Sequence, residues 1–203
     1  MIMKKVLLVG IFCLGLIQAT QAQGAVKFGL TGGLLNADAN IDLSLGNIIE
    51  IASIDAVNET GFYIGALVDI EVAESFHVQP ELTYGSAGDL SFVYVPIMAK
   101  YYVLANKLHI QAGPQFTFSS NLDDIKNAIQ DIEGVLGTNS NLDDVLNTFG
   151  VDLGFGAGFD VSDKFMVQAR YAFELTDRYS GPLGSSLDIR GGTLNIGLAY
   201  FFN

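Results

Sequence analysis

Ionisable side chains within the apolar stretches of this 203-residue chain set its options for chemistry. Lys27, Asp69, Glu71, Glu81, Lys100, Asp152, Asp160, Arg170 and Glu174 each stand at alternate positions among Val, Ile, Leu, Phe and Tyr. Such spacing puts them on one face of extended segments, opposite the apolar face. If that face is enclosed, an unpaired charge there costs several kcal/mol, so acids and bases must meet. Glu81 and Lys100 fall on neighbouring segments, out of direct register, and must meet through long side chains across a narrow space. Arg170 has Asp152 and Asp160 within similar reach. We therefore read Glu81, Lys100, Asp152, Asp160 and Arg170 as an internal ion-pair network, with a proton or ion path as the alternative.

The other reactive groups offer less. His77 and His109 are the two histidines; they are far apart in sequence and fall near short turns, which suits neither a metal site nor a nucleophile–base pair. Neither lies where enzymatic barrels place their outer-leaflet catalytic groups. The single cysteine, Cys13, sits in an apolar run expected to be removed, which leaves no thiol or thiolate chemistry. We expect no catalytic residues, no cofactor and no metal. Residues 120–147 carry Asp123, Asp124, Asp131, Glu133, Asp143 and Asp144 against Lys126. Carboxylates at this density can bind Ca²⁺, but the Asp-x-Asp-x-Asp-Gly spacing of a dedicated loop is missing. Leu122, Ile125, Ile129, Ile132 and Leu136 repeat at helical spacing, so this segment is predicted to be a short helical lid or partner surface.

The elements that position these groups are strands. The segments Val26–Leu34, Phe62–Val72, Phe76–Tyr84, Ser91–Val103, Leu108–Ser119, Phe149–Val161, Phe165–Leu175 and Thr193–Phe202 all alternate with period two. One face is continuously apolar. The other is rich in glycine and holds the charges. Connections 35–60, 85–90, 120–147 and 176–191 are longer than 73–75, 104–107 and 162–164. Pro80, Pro96 and Pro114 lie inside strands and are expected to mark bulges or kinks, since proline cannot donate to a ladder.

This plan predicts an all-β fold: an eight-stranded antiparallel up-and-down transmembrane β-barrel with a short helical extracellular segment at about 120–147. A soluble eight-stranded barrel with its apolar face inward is the rival. It would bury Asp, Glu, Lys and Arg on the wrong side and leave an apolar surface too large for water. The last strand closes a membrane barrel naturally, because its apolar face meets lipid and its edge meets the first strand. Within it, Gly197, Tyr200 and Phe202 resemble the C-terminal signal that outer-membrane assembly machinery reads.

Residues 1–22 read as a cleaved secretory signal peptide, with Lys4 and Lys5 before the apolar run Val6–Ile17 and Thr20-Gln21-Ala22 as the cleavage region. The barrel domain is then 23–203, with both termini periplasmic. Without Lys4 and Lys5, 8 of the 10 basic residues remain against 22 acids, for a charge of −14. That argues against a nucleic-acid partner, whose binders carry clustered Lys and Arg.

Gln79-Pro80-Glu81-Leu82-Thr83-Tyr84, Val95-Pro96-Ile97-Met98-Ala99-Lys100-Tyr101-Tyr102, Gln111-Ala112-Gly113-Pro114, the glycine-rich stretch 149–161 and Ala169-Arg170-Tyr171 occur in that order. Together they resemble the PorT-like outer-membrane β-barrel family of Bacteroidetes-type bacteria, across essentially the whole mature chain. The resemblance implies an outer-membrane barrel, with one branch of the family tied to protein secretion and gliding. The expected partners are outer-membrane lipid, the assembly machinery and proteins of an envelope or secretion complex. The expected role is structural or interactive and not enzymatic. A component of a secretion or transport complex, or a narrow channel, is the alternative.

Overall fold

The computed structural model describes residues 25–45, 49–104, 107–120, 148–177 and 187–203, with the backbone alone described for the strand residues among 39–57, 120 and 187–189. Eight strands follow one another: β1 (Val26–Leu45), β2 (Ile49–Ala73), β3 (Phe76–Ala87), β4 (Leu90–Leu104), β5 (Leu108–Ser120), β6 (Phe149–Ser162), β7 (Phe165–Glu174) and β8 (Leu187–Phe201). Each pairs antiparallel with its sequence neighbours, and β8 returns to β1, so the sheet is a closed barrel. Closure leaves no open edge along the barrel wall.

Side-chain direction follows the alternation. Phe62 and Ile64 on β2 are 72% and 63% exposed, while Tyr63 between them is buried. Val167 and Phe173 face out from β7, while Met166, Gln168, Arg170 and Glu174 face in. The usual distribution is inverted: large apolar groups lie outside, and Lys100, His109 and Gln79 are wholly enclosed. This is the expected pattern for strands that meet lipid on one side and a filled lumen on the other.

The lumen is filled by setting large side chains against bare backbone. The His109 ring lies over Gly158, where a Cβ atom would stand 2.5 Å from it. Gly197 is hemmed in by the Gly32 carbonyl and the Tyr63 hydroxyl, so no side chain fits there. Two apolar corners complete the filling. Leu67, Met166, Ala199 and Phe201 pack together toward the end where β1 starts and β8 finishes. Leu35, Ala87, Leu90, Phe92 and Tyr94 are buried toward the other end.

Two expectations need correction. First, 35–45 and 49–60 are strand, where a loop was expected. β1 and β2 stay paired far past the other strands, from Val26↔Ile70 to Leu45↔Ile49, and β8 follows β1 as far as Leu43↔Leu187. Ile49, Glu50 and Ile51 thus belong to β2, and the hairpin is bent by register shifts at Ala39/Asn40 and Leu43/Ser44. The β3–β4 connection also shrinks to a tight turn at Gly88 and Asp89, where Gly88 has φ of +55°. That left-handed conformation suits glycine.

Second, the prolines do not shift the register. Around Pro80 the β2–β3 ladder breaks between Leu67↔Glu81 and Ile70↔Val78 and resumes in the same register. Pro96 lies in an equivalent gap between β3 and β4, and Pro114 in one between β4 and β5. Each proline removes a donor toward the preceding strand and leaves its other side paired. The register shifts of this region fall instead at Glu71/Ala73, Tyr102/Leu104 and Asp160/Ser162, next to the short turns. The helical segment expected at 120–147 lies outside the described residues, apart from Ser120, which ends β5. The described residues contain only strands and turns.

Candidate functional site: the charged lumen

Inward positions on β2, β3, β4 and β7 bring four of the charges into one chain. Lys100 Nζ donates to Asp69 Oδ2, and also to Gln79 Oε1 at 2.9 Å. Gln79 Nε2 in turn donates to Glu81 Oε1 at 2.7 Å. Glu81 closes the chain with a two-point pair to Arg170, whose Nη1 and Nη2 reach Oε1 and Oε2 at 3.0 and 3.1 Å. Asp69, Gln79, Glu81, Lys100 and Arg170 are all buried, so each charge has an opposite charge and hydrogen bonds in place of water. Asp69 has a further contact, with Oδ1 2.5 Å from Nδ1 of His77. The result is a bar of side chains that crosses the lumen from β2 to β7.

The remaining predicted site residues take other partners. Asp152 accepts from Gln115 Nε2 at 2.9 Å and from the Thr117 hydroxyl. Asp160 accepts from the Tyr102 hydroxyl at 2.9 Å. Tyr102 stands between His77 and His109, with ring centroids 4.7 and 5.1 Å away. Arg170 therefore engages Glu81, whereas the sequence had suggested Asp152 or Asp160. Glu81 and Lys100 share a network, but through Gln79 and not face to face.

Gln79 is the bridging residue that sequence reasoning missed. Its signal was present, because it stands two residues before Glu81 on the same face of β3. Asp69 was seen as an inward charge but not tied to Lys100. Among the described residues, no group of three or more His, Cys, Asp and Glu side chains lies close enough to hold a metal ion.

The C-terminal residues fall into two roles. Tyr200 and Phe202 face outward, edge to face at 5.8 Å, while Gly197 faces inward against Gly33 of β1. Asn203 adds a contact that sequence gave no hint of. Its carboxamide accepts from Phe28 N at 3.0 Å and donates to Val26 O at 2.9 Å, which continues the β1–β8 ladder with a side chain.

Three solved structures are among those similar to this one. The attachment invasion locus protein Ail of Yersinia pestis, solved with the heparin analogue sucrose octasulfate, is 14% identical with a TM-score of 0.44; the match covers 87% of this chain and 99% of that one. Neisserial surface protein A is 13% identical with a TM-score of 0.46, covering 88% and 99% of the two chains. The outer membrane protein OprG from Pseudomonas aeruginosa is 13% identical with a TM-score of 0.45, covering 90% and 99%. No curated protein matches the sequence. The family model described as outer membrane protein beta-barrel domain matches residues 6–202, nearly the whole chain. With its closed eight-stranded barrel, the chain belongs to that outer-membrane family.

Proposed function

We propose that this protein is a non-enzymatic surface barrel, held in outer-membrane lipid, that acts through contacts made by its projecting strands and connections. The observation that carries this reading is the bar from Asp69 through Lys100, Gln79 and Glu81 to Arg170, which fills the lumen with paired charge. A barrel filled in this way is a poor solute channel, and among the described residues no group of His, Cys, Asp and Glu side chains forms a metal centre. In this reading residues 1–22 are a leader cleaved on export. Both termini face the periplasm, and the outer-membrane assembly machinery installs the barrel by reading Gly197, Tyr200 and Phe202. The resemblance of the motifs around Glu81, Lys100 and Arg170 to PorT-like barrels supports this reading.

Two measurements test the proposal. In planar lipid bilayers, the wild-type protein should show no steady conductance; open-channel currents lost in Lys100→Ala or Arg170→Ala would replace it with a channel. Extraction of native outer membranes in mild detergent, followed by native-gel sizing, should give the barrel with substoichiometric surface partners. A fixed large complex whose loss stops secretion of other proteins would make it a secretion component instead.

A further inference from the structure

β2 outruns its neighbour on one side. Its pairing with β1 extends from Val26↔Ile70 to Leu45↔Ile49, but its pairing with β3 ends at Gly61↔Ala87. The turn that follows β3 stops level with Glu59, where a Cβ on Gly88 would stand 2.9 Å from the Glu59 carboxyl carbon. Among the described residues, no strand pairs with the far edge of β2 over 49–58. The opposite margin of this projecting sheet is different. There β8 outruns β7, whose pairing ends at Phe173↔Gly192, but the Glu174 carboxylate accepts from Gly191 N at 3.2 Å. A side chain thus answers a donor just past the last pair on β8.

A free strand edge is a row of backbone donors and acceptors that can take up another extended chain. Proteins guard such edges with lysine, proline or bulges. Residues 49–58 contain neither lysine nor proline. Bulges are present: the register passes over Ala56 between Ala39↔Val57 and Asn40↔Asp55, and over Ile51 between Leu43↔Ala52 and Ser44↔Glu50. Between them 52–55 runs unbroken, which is long enough for a short added strand.

Charge selects the occupant. Residues 36–60 carry Asp38, Asp42, Glu50, Asp55 and Glu59 and no Lys, Arg or His. Two such hairpins repel one another, which disfavours a second copy of this chain. The acidic connection 121–147, with only Lys126 as a base, is disfavoured for the same reason, and it leaves from β5 and not from β3. We propose that the 49–58 edge of β2 takes a Lys- or Arg-rich extended segment of another protein as an added strand. The backbone provides the attachment, and the acids decide which segments are admitted. This rests on the surface-contact reading and names the partner that surface fits.

The test places the barrel in nanodiscs of phosphatidylcholine, which has no net charge, with empty nanodiscs as the background. Two short fluorescent probes are titrated: an alternating Lys-Val peptide, and the same peptide with every backbone nitrogen methylated, which keeps the charge but donates no backbone hydrogen bond. The first should bind and slow hydrogen exchange of amides within 49–58. Methylation should weaken binding roughly tenfold or more, the factor that one or two net hydrogen bonds supply. Replacing 40–56 with an Asn-Gly turn joins Ala39 to Val57, which are already paired, and removes the edge. That variant should keep its gel shift on boiling and lose at least the same factor. Equal binding of the methylated probe, or of the unmethylated probe to the trimmed barrel, would overturn strand addition and leave charge alone as the cause. A barrel dimer that disappears on trimming would overturn it as well, by making the edge a contact between copies. No binding of either probe would overturn the edge proposal by itself, because the surface reading is decided separately by what co-extracts from native membranes.

Discussion

Lys100 shows how tightly the residues of the lumen depend on one another. It is wholly enclosed, and its ammonium answers Asp69 while also accepting the orientation set by Gln79. Lys100→Met keeps the volume but leaves Asp69 with only His77 nearby. Removing one partner of a buried pair costs about 3–5 kcal/mol, and urea unfolding from lipid vesicles should show a loss of that order. The chain has no tryptophan, so circular dichroism is the suitable signal. Arg170→Met should be similarly costly, whereas Arg170→Met combined with Glu81→Leu should cost much less than the two single changes together. Additive costs would mean that the pair is not the contact that matters. The inward charges themselves were legible from the sequence, because alternation marks which face each residue takes. Their pairing was not. Glu81 and Arg170 lie on β3 and β7, and their approach depends on the register of every strand around the barrel.

Elements were easier to read than their ends. β4, β5 and β6 match their sequence-based limits to within a residue at each end, because apolar residues recur strictly on one face. β1 was cut short at Leu34. Beyond it, Asn36, Asp38, Asn40 and Asp42 still alternate with Ala37, Ala39, Ile41 and Leu43, but the polar composition looks like a loop. A strand that leaves the membrane no longer needs large apolar groups, so its period persists while its oiliness fades. Shortening the hairpin by removing 42–52 should therefore leave a barrel that still shifts on boiling. The proline gaps make another prediction at this scale. Pro114 faces outward beside the interrupted β4–β5 ladder, so Pro114→Val restores a donor there. It should stabilise the barrel by about 0.5–1.5 kcal/mol, the usual net value of one hydrogen bond. No gain, or a loss, would mean that the ladder gap serves the local twist.

At the scale of the whole molecule, the inverted surface governs stability through depth. Leu198 lies midway along the outward apolar row Leu194, Ile196, Leu198, Tyr200 and Phe202, and Phe202 lies at its end, just past β8. Arginine at the bilayer midplane costs about 2–4 kcal/mol and much less near the interface. Leu198→Arg should thus destabilise far more than Phe202→Arg in the same vesicle unfolding experiment. Equal costs would mean that Leu198 does not sit at mid-depth. The fold class was legible because an apolar face on every strand and charge on the opposite face suit only a barrel turned inside out.

The same alternation has a consequence before any barrel exists. An outer-membrane protein must first cross the inner membrane as an unfolded thread. A segment of roughly 20 consecutive apolar residues would stop there as a helix. In β2 the run Phe62 to Val72 is interrupted by Asp69 and Glu71, in β4 by Lys100, and in β7 by Arg170. Each charge that later helps fill the lumen first keeps its strand from being mistaken for a membrane anchor. The residues that hold the finished barrel together are thus also the ones that let its chain pass through the wrong membrane.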